Sequence, residues 1–174
     1  MALRLAFFQR DVSVANRLVP FVTTVLFALL SVVPVHVPGL AVATPAFVLM
    51  AVYHWTIYRP DLLPAVGVFA AGILLDLLNG TPYLGISSLA LLLVRGVILA
   101  QRRLVAGQSF PILWAGFFTV TATFIAFEWL VTSILNGLAL GSRPFVFQAL
   151  LTIVTFPVGS YLLAQAQRAF LRRV

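Results

Sequence analysis

Between residues 18 and 166 the chain passes through six apolar stretches of helical length that carry almost no charge. About 20 such residues cross a hydrocarbon core of roughly 30 Å as a helix, and backbone groups in lipid must satisfy one another. The runs therefore call for a helical bundle and leave no room for a soluble domain. Composition agrees: of 174 residues, 62% are hydrophobic and 9% charged, and mean hydropathy is +1.10. That is too little polar surface to cover a water-soluble globule. The expected fold is all-α, a polytopic membrane protein, with 1–174 forming a single integral membrane domain of six transmembrane helices.

Turn chemistry divides the runs at 18–37, 40–58, 62–78, 84–100, 110–135 and 145–166. Thr44 and Pro45 read as an N-cap followed by proline in the first helical turn of the second helix, and Pro60 stops it. Its regular part, like the third helix, is near 15 residues or roughly 22 Å, which implies thinned lipid or a sheltered position. Asn79, Gly80, Thr81 and Pro82 make a tight turn that folds the fourth helix straight back. Ser109 and Pro111 start the fifth, Asn136 and Gly137 close it, and Pro157 is expected to kink the sixth. The segment before residue 18 reads as an interfacial lead-in; the rival reading is a signal peptide cut at Ala41-Val42-Ala43, although the apolar run exceeds a ~7–15-residue signal core.

The formal net charge of +7 comes entirely from arginine. These arginines flank apolar runs instead of forming a patch on a soluble face, so they set topology and do not point to nucleic acid. With six helices, Arg4, Arg10, Arg17, Arg59, Arg102, Arg103, Arg168, Arg172 and Arg173 fall on one side and Arg143 on the other. Both termini are thus expected in the cytoplasm, with the turn at Gly80 on the outer face. Tyr53, Trp55, Tyr58 and Trp114 are expected at the inner boundary as aromatic anchors. Without cysteine there is no disulfide, thiolate nucleophile or cysteine-ligated metal.

Three charges lie within the runs. Counting back from the outer turns, Asp76 is about 6 Å deep, Arg95 about 15 Å and Glu128 about 11 Å. Arg95 and Glu128 then meet at similar depth on consecutive antiparallel helices, and a polar cluster of Asp76, Arg95 and Glu128 would offset the cost of each charge in lipid. The alternative sends the Arg95 stem inward, leaves Asp76 at interfacial water and has Glu128 protonated. Gly67 and Ala71 make a small-xxx-small step, with Gly72 one turn before Asp76, so this helix is expected to pack closely on a neighbour. His36 and His54 stand alone, without metal-ligand spacing. No catalytic pair, phosphate loop, cofactor motif or metal set is present, and an enzyme is not expected.

The run Gly72-x-x-x-Asp76-Leu-Leu-x-Gly80-x-Pro82-x-Leu84-Gly85, continuing Ile-Ser-Ser-Leu89-Ala-Leu-Leu-Leu, resembles the central motif of the rod shape-determining protein MreD family. Tyr58-Arg59-Pro60-Asp61 ahead of it and Arg143-Pro144, Pro157 and Gln167-Arg168 behind it fit the same family. The resemblance implies a non-enzymatic subunit of the bacterial cell-elongation complex in the cytoplasmic (inner) membrane, supporting peptidoglycan synthesis and cell shape. Its implied partner is the bitopic scaffold MreC, and through it the actin-like MreB filament, the rod-type glycosyltransferase and its penicillin-binding transpeptidase partner. It also implies a fold similar to the substrate-binding components of energy-coupling vitamin transporters, which makes a solute- or vitamin-binding component the alternative. Those proteins dock their coupling subunit through alanines spaced four apart in the first helix, where this chain has only Ala28.

Overall fold

The computed structural model describes residues 18–32, 44–137 and 141–171. Among them stand six helices and no strand: α1 (Leu18–Leu30), α2 (Phe47–Tyr58), α3 (Ala65–Asn79), α4 (Ile86–Val105), α5 (Phe110–Asn136) and α6 (Arg143–Leu171). Two are long and apolar enough to cross a membrane, α5 and the stretch Arg143–Ala169 of α6, each of 27 residues and so about 40 Å long. Gly137 ends α5 in the left-handed conformation. α6 runs unbroken through Pro157.

Helix α2 is the axis of the bundle. Every residue from Val48 to Ile57 is buried, with α4 and α6 packed against it. Helix α1 joins it through Thr23, whose Oγ1 accepts the Trp55 indole N–H at 2.9 Å, and through Phe27, edge-on to Phe47. A helix apolar on every face is stable only when surrounded. Being surrounded by helices also lets a helix of 12 residues, about 18 Å long, sit in a bundle thicker than itself.

This position overturns the expectation that Tyr53 and Trp55 anchor the bundle at the membrane interface. Both are fully buried, because they lie in the stretch Val48 to Ile57, which is buried on every face. The Tyr53 hydroxyl donates to the Leu113 carbonyl at 2.8 Å, and its ring stands edge-on to Phe117 and Phe156, which stack on each other at 4.0 Å.

Nor does Thr44 cap α2. The helix starts at Phe47 with Ala46 at the N-cap, and its first donors are met from elsewhere. The Ala46 N–H donates to Thr152 Oγ1 of α6 at 3.0 Å, and the Val48 N–H to Ser31 Oγ, just past α1, at 3.1 Å. A buried helix start leaves donors that only such partners can satisfy. The expected end of the first helix near residue 37, His36 and Ala41-Val42-Ala43 lie outside the described residues.

Helix α4 differs from its expected span at both ends. Gly85, at φ 103°, holds it off until Ile86, and it continues past Ala100 to Val105 with Arg102 and Arg103 in its last turn. Cations there complement the helix dipole. Arg102 Nε also donates to the Ile57 carbonyl at the end of α2, at 2.8 Å.

Candidate functional site

The α3–α4 hairpin is built around a close crossing. A Cβ added at Gly72 would overlap the backbone of Ser88, so only glycine lets the two helices approach this far. Ser88 Oγ fastens the crossing by donating to the Phe69 carbonyl at 3.0 Å. The expected close-packing step thus centres on Gly72. Ala71 is buried beside it, while a Cβ at Gly67 would make only ordinary contacts, the nearest at 3.5 Å to Leu63.

About two turns further on, α3 ends with Gly80 in the left-handed conformation at φ 61°, and the Thr81 N–H returns to the Asp76 carbonyl at 3.2 Å. Pro82 follows, exposed in the turn. The chain therefore doubles back over the end of α3, and Asp76 receives it. Its Oδ2 accepts the Gly85 N–H at 2.6 Å and its Oδ1 the Ser87 N–H at 3.3 Å. Gly85, the N-cap residue of α4, has no side chain to cap with, so the buried Asp76 carboxylate of α3 caps the helix start from outside. Charge-assisted bonds to orphan amides, at the positive end of a helix dipole, are what make such a burial tolerable.

Ser87 carries the arrangement to α5. Its N–H serves Asp76, while its hydroxyl donates to Glu128 Oε1 at 3.2 Å. Asp76 and Glu128 both line a cavity of about 420 Å³ with Asn79, Thr132, Asn136 and Gln148. Ser31, just past α1, and Thr44, Pro45 and Ala46, just before α2, line it too.

Arg95 is not part of this group. Its Nη2 donates to the Leu63 carbonyl at 3.3 Å and to that of Pro60 at 3.5 Å, in the connection between α2 and α3. The expected meeting of Arg95 with Glu128 assumed that the fourth and fifth helices end level at the hairpin. They do not: Glu128 sits beside Ser87, the second residue of α4, although α5 continues to Asn136. Arg95 lies eight residues beyond Ser87 along the chain, about 12 Å up α4. Exchanging the two charges should consequently give no rescue. Arg95→Glu and Glu128→Arg are each expected to lower accumulation in membranes, and the double variant to do no better than the worse single one; recovery in the double variant would put the two side chains in contact.

His54 Nε2 pairs with Gln167 Oε1 at 2.8 Å, away from the cavity. The sequence marks Asn79 and Asn136 as turn and helix-end residues only, and Ser87, Thr132 and Gln148 as no part of a site. Only Ser87 left a trace there, as a polar residue in the first turn after a glycine that follows a buried carboxylate.

No curated protein and no solved structure matches the chain significantly. The family model of the rod shape-determining protein MreD matches residues 13–165, which takes in α1 to α5, the whole hairpin and α6 as far as Gln165. The chain belongs to the rod shape-determining protein MreD family.

Proposed function

We infer that this chain serves rod shape determination as a non-enzymatic, six-span subunit of the cell-elongation complex, holding MreC in the cytoplasmic membrane. Through MreC it would support MreB-guided peptidoglycan synthesis by the rod-type glycosyltransferase and penicillin-binding transpeptidase. Both termini lie in the cytoplasm in this reading, which the arginine distribution supports, and the α3–α4 hairpin faces outward.

The observation that supports a holding role over chemistry is the use made of Asp76. Its two oxygens are spent on the amides of Gly85 and Ser87, so the most conspicuous charge in the membrane is a fastening. Around it the hairpin presents Leu77, Leu84 and Leu89, all well exposed, a surface suited to lipid or to a partner helix.

Tagged protein isolated in mild detergent is expected to bring down MreC, and cells lacking the chain to become round with MreC dispersed. Normal rods with undisturbed MreC would sink this reading. The alternative, a solute-binding component, is favoured by one feature, the polar-lined cavity beside Glu128, whose chemistry is taken up next.

A further inference from the structure

The cavity at the hairpin end has a volume of about 420 Å³, within the range of ~300–1,000 Å³ of small-ligand sites. Its lining is lopsided in charge. Asp76 and Glu128 contribute carboxylates, Asn79, Asn136 and Gln148 amides, and among the described residues no arginine, lysine or histidine lines it.

An anion would need donors, and those that two helix starts would offer are already taken. The α2 start donates to Thr152 and Ser31, and the α4 start to Asp76. Asn136 Nδ2 is likewise engaged with the Thr132 carbonyl, at 2.7 Å. The two carboxylates differ in what they have left to give. Asp76 is consumed by backbone amides, whereas the Glu128 carboxylate has, among the described residues, the Ser87 hydroxyl as its partner. A carboxylate in a low-dielectric site needs a counter-charge to offset its lost hydration, and here there is room for one.

We propose that this cavity binds an organic cation of the ammonium or guanidinium type, with Glu128 as its ion-pair partner and the Gln148 and Asn79 amide oxygens as additional acceptors. The described lining, with carboxylates and no base, disfavours zwitterions and phosphate-bearing groups. The cation can be a free amine or guanidine, or the side chain of a basic residue on a neighbouring subunit. The chemistry at Glu128 is the same in either case.

The probe is agmatine, which carries both groups, titrated onto the full chain in nanodiscs of phosphatidylglycerol, which has no amine. Agmatine is expected to bind saturably and to raise the thermal midpoint, while glutarate does neither. Glu128→Gln, which keeps the shape and the acceptor for Ser87, should weaken agmatine by about tenfold or more, the size expected for losing a charge-assisted contact. Should that variant fail to fold, Gln148→Leu on the α6 wall is expected to weaken it several-fold. Equal binding of agmatine and glutarate, no saturable binding of agmatine, or binding unchanged by both variants overturns the assignment.

A second arm, co-reconstitution with MreC, separates the two sources and rests on the partnership proposed above. If the partner supplies the cation, agmatine binds more weakly in the complex and Glu128→Gln loosens the complex; if a free cation does, agmatine binds alike with and without MreC. The first arm uses the isolated chain and stays readable if the partnership fails.

Discussion

Gly72→Ala is expected to remove most of the folded protein from the membrane, and Gly72→Val essentially all of it. The reason is geometric. The first atom of any side chain at this position falls on the backbone of Ser88, which cannot rotate away as a flexible side chain would. Relief requires α3 and α4 to separate, and overpacking a tight contact costs about 1–3 kcal/mol even where side chains can adjust. Here the cost is larger because two fastenings go with it, the Ser88 hydroxyl on Phe69 and the Asp76 carboxylate on the α4 amides. The matching substitution at Gly67, where a Cβ meets ordinary contacts, should leave accumulation near wild type. Membrane-fraction immunoblots of the three variants check this, and equal loss at Gly67 and Gly72 would remove the crossing from its central place.

Asp76→Ala is the second large effect. It leaves the half-buried Gly85 amide and the buried Ser87 amide without an acceptor, and a lost N-cap alone costs about 0.5–2 kcal/mol, with charged bonds reaching about 3 kcal/mol. The thermal midpoint in nanodiscs is expected to fall by several degrees and MreC retention with it. Asp76→Asn keeps one carbonyl oxygen for the Gly85 amide and should fall by less than half as much. Equal damage from both substitutions would mean that the charge itself, and not the cap, is what the position requires.

The contrast between Asp76 and Glu128 shows how much of the site the sequence could reveal. That a carboxylate in an apolar run needs a partner follows from hydration cost, and the turn at Gly80 shows that the chain returns to it. What the spacing could not supply is the level at which neighbouring helices end. Flush helices would put Glu128 opposite Arg95, whereas α5 overshoots the start of α4 by about two turns and brings Ser87 beside Glu128 instead.

The central helix was misread for a related reason. Its apolar run is the same in composition as a lipid-facing one, so the burial of Tyr53 and Trp55 could not be told from an interfacial position. Its caps come from Ser31 and Thr152, one of them more than a hundred residues away. No local signal encodes that. The hairpin itself was legible because each of its parts, Gly72, Asp76, Gly80 and Gly85, acts on residues within about sixteen positions of it.

Amide hydrogen exchange across the hairpin, in nanodiscs, tests most directly whether Asp76 is a clasp. In the wild-type chain the Gly85 and Ser87 amides should be protected. Asp76→Ala should speed their exchange by about tenfold or more, the loss expected for a charged bond, while the Phe117 to Phe124 stretch of α5 stays unchanged. Exchange at Gly85 and Ser87 that does not respond to loss of the carboxylate would contradict the clasp.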